Sequence, residues 1–370
     1  MPFDVREFPG ALPEDLAAGR RNRRVVAGWL FVVCGMIVVM IALGGLTRLT
    51  GSGLSIMEWA PFRGALPPWS EQEWRRLFGL YQRIPQYALL NQGFGLDGFK
   101  RIFWLEWTHR LWGRLIGLAF ILPLIVFWRT GRIERRLRPR LAVIFLLGGL
   151  QGAIGWFMVA SGFFPDTTSV SAYRLVVHLV LALVLYAAIL WTGLTVLEPQ
   201  PRAGPASGRL RAMVAAVSAL TVLTIAAGGF VAGTHAGLDY NTFPLMAGRL
   251  IPDAYAALRP LPLNWTENIA AVQFDHRALA TFTAIATLAA VVAGLRKGVE
   301  ANVPGLRQPL LWLGGAVAIQ YCLGVATLLT VVAPPLAVTH QIVAVLVLTA
   351  SLRALHRLRA AKPVPPQATS

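Results

Sequence analysis

The sequence predicts an all-α membrane protein with eight transmembrane helices, arranged as two pseudo-symmetric four-helix bundles with both termini in the cytoplasm (N-in/C-in). Three observations predict this fold: long apolar runs, arginines confined to alternate connections, and an internal repeat. The chain has 370 residues, of which 56% are hydrophobic and 14% charged, whereas an ordinary soluble domain carries about 25% charged residues. This composition excludes a soluble enzyme, a secreted module and a disordered protein.

Eight apolar segments are each long enough to cross a bilayer, which takes about 20 helical residues. The predicted spans are 25–47, 108–128, 141–160, 174–195, 211–233, 270–294, 309–332 and 335–355. Two long connections, 48–107 and 234–269, fall on one side of the membrane. The first is rich in Trp and Pro and is predicted to form an ordered cap at the membrane surface.

The basic residues predict the orientation. The net charge is +17, and the arginines before span one, between spans two and three, before span five, between spans six and seven and after span eight all fall on one side. By the positive-inside rule that side is cytoplasmic, so the charge indicates topology rather than nucleic-acid binding. The N-terminus lacks the Ser-rich amphipathic character of a transit peptide, which favours a bacterial inner membrane.

The first four spans resemble the last four. Four anchors recur in the same order: Gly44-Gly45 with Gly228-Gly229, His109-Arg110 with His276-Arg277, Gln151 and Gly155 with Gln320 and Gly324, and His178 with His340. Because each half has an even number of spans, the halves share one orientation and are related by an axis along the membrane normal. The predicted organisation is an N-terminal segment 1–24, four-helix halves 25–200 and 201–358, and a disordered tail 359–370.

Four of the six histidines lie within predicted spans: His109, His178, His276 and His340. Ionisable residues inside a bilayer are rare and mark function. Each half contributes two, on its second and fourth spans, which suits two imidazoles facing each other across a bundle with a metal macrocycle between them. Zinc would require further Cys, Asp or Glu ligands nearby, so haem is favoured.

The remaining arginines, histidines and cysteines that stand out in the sequence are predicted to have supporting or structural roles. Arg110 and Arg277 lie beside two of the histidines and are predicted to pair with haem propionates, with snorkelling to the interface as the alternative. His235 and His356 are predicted to be surface residues. Cys34 and Cys322 are predicted to be buried free thiols.

One position differs informatively between the halves. Glu106 stands three residues before His109, whereas Gln273 holds the matching position before His276. A carboxylate can move protons or stabilise positive charge, and an amide cannot. The first half is therefore predicted to host chemistry and the second to hold a fixed haem. A simple pairing of Glu106 with Arg110 or Arg101 is the alternative.

Three segments resemble the haem A synthase family, in its proteobacterial and mitochondrial form. They are residues 46–55 (LTRLTGSGLS) continuing through Trp59 and Pro61, residues 102–110 (IFWLEWTHR) with Gly113-Arg114, and residues 240–246 (YNTFPLM). With the four histidines, the resemblance covers residues 25–358. Some members of that family carry a cysteine pair in the first outer loop; residues 48–107 here contain none.

The resemblance implies an oxidoreductase that converts the C8 methyl of haem O to a formyl group, giving haem A for terminal oxidases, by two hydroxylations and loss of water. It implies that His276 and His340 ligate the iron of a permanent haem B. It also implies that His109 and His178 line the haem O site in the first half, with Glu106 beside the reacting methyl or stabilising a cationic intermediate. The implied partners are haem O, haem A, the lipid bilayer and an electron-transfer partner of unknown identity. Haem O synthase and oxidase assembly factors are further candidates.

Two functions from other classes compete with this interpretation. A di-haem electron carrier would hold one permanent haem in each half and tolerate Glu106→Gln. A small-molecule transporter, which can also be built from parallel repeats, would be colourless when purified.

Overall fold

A computed structural model describes residues 13–201, 207–296, 299 and 303–359, with side chains from residue 19 onwards. This part of the chain is built from α-helices joined by turns and short 3₁₀ segments. The helices are α1 (Pro13–Leu49), α2 (Glu71–Tyr81), α3 (Pro85–Leu90), α4 (Leu96–Arg129), α5 (Arg138–Ala160), α6 (Ala172–Leu197), α7 (Gly208–Gly233), α8 (Ile269–Gly294), α9 (Arg307–Leu329) and α10 (Pro334–Arg357). The predicted disordered tail lies outside the described residues from 360 onwards, as do residues 1–12 of the N-terminal segment.

Eight helices in the described part are long and apolar enough to cross a membrane: α1, α4, α5, α6, α7, α8, α9 and α10. The predicted all-α fold with eight spans is therefore confirmed. The two largest differences are equal: α1 begins at Pro13 rather than at 25, and α4 begins at Leu96 rather than at 108. The charged side chains of their first turns end the apolar run without ending the helix, since Lys, Arg and Glu are good helix formers.

The four long helices of each half pack in the same cyclic order. In the first half α1 contacts α4 and α6, and α5 contacts α4 and α6; in the second half α7 contacts α8 and α10, and α9 contacts α8 and α10. The halves meet where α6 packs on α7 and on α10, and where α1 packs on α10. The first and fourth helices of each half thus form the centre of the molecule. The orientation in the bilayer stays a prediction.

Large buried side chains gather towards the span ends on the side of the molecule where α1 begins and α10 ends. Leu30, Leu183 and Ile189 are among the largest fully buried residues of the first half, and Leu310 and Leu313 among those of the second. The four histidines lie nearer the opposite side, which carries the long connections after α1 and after α7. We call this side the long-loop side. The apolar clusters hold the helices together below the histidines.

The long connection after α1 is ordered, as predicted. Ser70 caps α2 by accepting a hydrogen bond from Glu73 N (3.2 Å), and Trp74 and Tyr81 of α2 are buried against Phe99 of α4. Burial of such aromatic side chains stabilises the loop by several kcal/mol, at about 1.5–3 kcal/mol for each large apolar side chain. The cap therefore fixes the backbone that leads from α1 towards the first histidine.

Two surface and burial predictions are wrong. His356 is 2% exposed, because its ring stacks edge-on against Trp191 at 5.2 Å and Glu198 accepts hydrogen bonds from Arg353 and Arg357 beside it. Cys322 is exposed on α9 whereas Cys34 is buried; an apolar span does not by itself bury a thiol in protein, because one face of the helix contacts lipid. His235 is exposed, as predicted.

Candidate functional site

The four span histidines lie on the second and fourth helices of each half. His109 is on α4 and His178 on α6, while His276 is on α8 and His340 on α10. His109 and His178 are close enough to interact electrostatically, and so are His276 and His340. All four are partly buried. The fold thus brings the predicted residues together as two pairs, one in each half.

Each histidine ring packs against a glycine on a neighbouring helix. A Cβ added to Gly44 would lie 3.1 Å from His109 Nε2, and one added to Gly228 would lie 2.9 Å from His276 Cε1. The remaining two contacts follow the same rule. Cβ atoms added to Gly155 and Gly324 would lie 2.9 Å and 3.0 Å from Cε1 of His178 and His340. No larger residue fits at these four positions without moving the imidazole, so the glycines fix the orientation of the rings.

A glutamine accompanies the fourth-helix histidine of each half. Gln151 Nε2 lies 3.2 Å from His178 Nδ1 and donates to the carbonyl of His178 at 3.0 Å. Gln320 Nε2 lies 3.4 Å from His340 Nε2. Both Oε1 atoms are buried without a hydrogen-bond partner. Each glutamine thus keeps an acceptor inside the bundle beside its histidine.

In the first half, Glu106 and Arg110 anchor the loop that follows α1. Ser55 Oγ and the backbone N–H of Ile56 donate to Glu106 Oε2 at 2.7 and 2.9 Å. Arg110 donates to Glu106 Oε1 at 2.5 Å, and to the carbonyls of Ile56 and Glu58 at 2.7 and 2.8 Å. Glu106 is only 2% exposed, and both oxygens of its carboxylate accept hydrogen bonds. Buried charges in proteins need this kind of full pairing.

The second half repeats three of the four hydrogen bonds of the arginine clamp; the fourth, from Arg110 Nε to Glu106 Oε1 at 3.0 Å, has no counterpart at Arg277 among the described residues. Arg277 donates to the carbonyls of Tyr240 and Thr242 at 2.6 and 2.9 Å, and to Gln273 Oε1 at 2.7 Å. Tyr240 and Thr242 stand at the same distance from the Gly-Gly pair of α7 as Ile56 and Glu58 do from that of α1. The internal repeat therefore extends to individual hydrogen bonds.

Glu106 and Gln273 each have the hydrogen-bonding groups that their neighbouring loop atoms require. Gln273 Nε2 donates to the carbonyls of Ala236 and Asp239 at 2.7 and 2.6 Å, whereas Glu106 accepts from donors. An amide can donate and accept, and an ionised carboxylate only accepts. The geometry thus gives both side chains a role in holding a loop. A chemical role for Glu106 remains a proposal.

Arg110 and Arg277 are engaged by loop carbonyls rather than left free. Their guanidinium groups make the hydrogen bonds given above, and Arg110 also lies 5.5 Å from the centre of the Trp156 ring. Their predicted role towards haem propionates stays a prediction. The pairing of Glu106 with Arg110, which the sequence offered as the alternative, is confirmed, whereas no contact between Glu106 and Arg101 is present among the described residues. Sequence reasoning missed the bonds from the arginines to the loop carbonyls, because the return of the loop onto α4 or α8 leaves no periodic pattern.

Aromatic residues cover the first-half site at the loop. Trp59 stacks on Trp156 with ring centroids 6.4 Å apart and planes 12° apart, and Trp156 follows Gly155, which backs His178. In the second half Phe243, at the position matching Trp59, meets Tyr321 edge-on at 6.3 Å. The rings at the loop end of the two sites therefore differ in size and in packing.

The residues present fit a haem in each half. The two imidazoles of each half would hold the iron, and the macrocycle would supply the remaining ligands. His276 Nδ1 and His340 Nδ1 are buried and meet no partner at hydrogen-bond geometry, although backbone carbonyls of Thr224 and Gln320 lie within electrostatic reach. The glycines keep the space beside each ring clear.

Gly324→Ala is expected to disturb the second-half site, because the new Cβ would lie 3.0 Å from His340 Cε1 and the ring must tilt. Gly315→Ala, on the same helix with nothing within 4 Å, is the matched control and should be silent or stabilise α9 by about 1 kcal/mol. The measurement is the absorption spectrum of the bound haem and its retention through purification. Equal spectra and equal haem content in both variants would show that the glycine does not position the ring.

Comparison with known proteins identifies the family. Residues 27–352 match the model of the cytochrome oxidase assembly protein family. The chain belongs to this family. The matched range includes all four histidine–glycine pairs and all or most of each span helix.

Curated relatives of this family are similar over nearly their whole length. The heme A synthase of Granulibacter bethesdensis is 63% identical over 342 residues, which cover 92% of this chain and 89% of the relative. The heme A synthase of Rhodospirillum centenum is 48% identical over a region that covers 98% of this chain and 94% of the relative. Heme A synthase 2 of Acidiphilium cryptum is 47% identical over a region that covers 94% of this chain and 95% of the relative.

Proposed function

We propose that this protein is a haem A synthase, an oxidoreductase that converts the C8 methyl of haem O to the formyl group of haem A. The observation that carries the proposal is the duplicated histidine pair, built with a glycine behind every ring and differing between the halves at Glu106 and Gln273. Membership of the cytochrome oxidase assembly protein family and the names of its close relatives support it.

The second half is proposed to hold the resident cofactor, haem B, between His276 and His340. A bis-histidine haem supplies a one-electron redox centre. The protein contributes the fixed ring orientation, through Gly228 and Gly324, and an anchored loop, through Arg277. Rigid support of this kind suits a group that stays bound through turnover.

The first half is proposed to bind the substrate, haem O, between His109 and His178. Positioning the macrocycle in one orientation is what selects one methyl group for oxidation, since effective catalysis requires the reacting atom to be held in place. Two hydroxylations of that methyl, which together withdraw four electrons that pass to an oxidant from outside the protein, give a hydrate, and loss of water gives the formyl group. Trp59 and Trp156 cover the loop end of this site and would limit the access of water to it.

Glu106 is proposed to act on the substrate in addition to anchoring the loop. Its Oε2 is held by Ser55 and Ile56 and its Oε1 by Arg110, which fixes the carboxylate one helical turn before His109. A fixed negative charge close to a macrocycle stabilises positive charge that develops there. Because its oxygens are engaged, this electrostatic role is better supported than direct proton transfer.

The protein is a multi-pass membrane protein, and the bacterial inner membrane is its proposed location. This location agrees with the arginines that collect on the side opposite the long-loop side, as the positive-inside rule expects for the cytoplasmic face. The lipid bilayer is also a suitable route for haem O, whose isoprenoid tail is apolar. An electron partner and oxidase assembly factors are proposed as further partners.

The test is production of haem A in cells that make haem O but lack a haem A synthase. Haem extracted from membranes and separated by chromatography should contain haem A when the wild-type chain is expressed, and only haem B and haem O when His109→Ala is expressed. The absence of haem A with well-folded wild-type protein would reject the proposal. Two firmly bound haems in that protein would then favour the di-haem electron carrier.

A further inference from the structure

Arg48, at the end of α1 on the long-loop side, has an unusual environment for a cation. Within the described part of the chain its one polar side-chain contact is His235, with Nη2 of Arg48 3.5 Å from Nδ1 of His235. Arg110, Arg114, Arg174 and Arg277 each donate to backbone carbonyls on the same side. Among the described residues, no carboxylate and no carbonyl pairs with the Arg48 guanidinium, although the residue is half-buried.

The position of Arg48 relates it to the first-half site. It follows Gly44 by four residues on α1, so the two lie on the same face of the helix, about 6 Å apart along the axis. Gly44 is the residue that backs His109. Arg48 therefore lies just beyond the histidine towards the long-loop side, at the depth where the polar edge of a macrocycle held by His109 would face water.

His235 comes to Arg48 from the other half of the molecule. It follows α7 with a left-handed backbone (φ 58°). Although the residue is exposed, partial desolvation and then the charge of Arg48 lower the pKa of His235 below its usual value. The lowered pKa favours the neutral ring. Its Nδ1 can then accept from Arg48, which leaves the Nε2–H free as a second donor.

We propose that Arg48, assisted by His235, binds a propionate carboxylate of haem O. An unpaired guanidinium beside an N–H donor is suited to a carboxylate. The sequence assigned this role to Arg110, but loop carbonyls occupy that side chain. The inference rests on the proposed function, since it takes haem O as the substrate of the first half. Under this proposal, Arg48 from the first half and His235 from the second half both contact the same substrate molecule.

The test compares haem O with its dimethyl ester, which keeps the macrocycle and the tail but removes both carboxylate charges. Each is titrated into the purified full-length protein in phosphatidylcholine nanodiscs, and binding is followed by difference absorption. These nanodiscs carry no net charge, so anionic lipid does not compete for Arg48. The wild type should prefer the acid to the ester by about tenfold or more, as expected for a charge-assisted hydrogen bond.

Arg48→Gln should lose this preference while binding the ester as the wild type does. Arg48→Lys should keep much of it. Arg83→Gln removes an exposed arginine of the long-loop side and should keep the preference in full. Because Arg48→Gln could unfold the end of α1, His235→Asn is a second test: asparagine tolerates a positive φ, and the variant should lose part of the preference.

Five outcomes would overturn the inference. Arg48→Gln could discriminate acid from ester like the wild type, or it could lose affinity for both equally, which would indicate a purely structural role. Folded His235→Asn with full discrimination would contradict the role of the second donor. A wild-type protein that binds haem O in the first half without preferring the acid rejects the inference alone, whereas one that does not bind haem O rejects the proposed function with it.

Discussion

His276→Ala and His340→Ala are each expected to lower the haem B retained by the purified protein by at least about tenfold. Each variant removes one of two imidazoles that the fold brings together between α8 and α10. A single remaining axial ligand leaves the haem weakly held and changes its spin state, which the absorption spectrum reports directly. The measurement is haem B per polypeptide, by extraction and chromatography, together with that spectrum.

The first half provides the matched controls for this prediction. His109→Ala and His178→Ala remove equivalent imidazoles that are likewise backed by glycines, yet they should retain haem B and lose the bound haem O or haem A instead. Retention of a bis-imidazole haem B spectrum in both His276→Ala and His340→Ala would contradict the assignment of the second half.

Glu106→Gln is expected to lower haem A formation by about a hundredfold or more, while binding of haem O persists. The amide has no charge, and it can place only one acceptor where the carboxylate accepts from both the Ser55–Ile56 side and Arg110. The loss of charge-assisted hydrogen bonds should also cost about 1.5–3 kcal/mol of stability at the loop. The measurements are the rate of haem A formation and the susceptibility of the loop after α1 to protease.

Two further variants separate chemistry from loop anchoring. Ser55→Ala removes one donor to Glu106 but keeps the carboxylate, so it should loosen the loop slightly and keep most of the activity. Gln273→Glu places a carboxylate against the carbonyls of Ala236 and Asp239, and it should loosen the second loop. Haem A formation at the normal rate in Glu106→Gln would remove that residue from the mechanism. Equal losses in Glu106→Gln and Ser55→Ala would indicate that anchoring alone matters.

The sequence was a good guide to the spans, because only a helix satisfies its own backbone hydrogen bonds in lipid and an apolar run therefore predicts one. It was a poorer guide to where a helix ends. The first turns of α4 are too polar to count as a span, but the helix runs continuously from Leu96. Likewise, the basic residues around His356 suggested an exposed end, whereas Trp191 and Glu198 bury it.

The sequence predicted which residues form the site, but not the contacts that they make. Duplication identified the four histidines, and the same repeat contained Gly44, Gly155, Gly228 and Gly324. Their place in matching positions was a signal that they serve the histidines, although only the packing of neighbouring helices shows which ring each one meets. The clamps made by Arg110 and Arg277, and the pairing of Arg48 with His235, depend on how loops fold back, which no local pattern encodes.

The central claim is that one half keeps its haem while the other exchanges it. The most direct measurement is the haem composition of the purified protein before and after incubation with excess apomyoglobin, which takes up released haem. The account predicts that haem B remains with the protein at about one per chain, while haem O and haem A transfer to the apomyoglobin. Retention of two haems, or release of all of them, would contradict it.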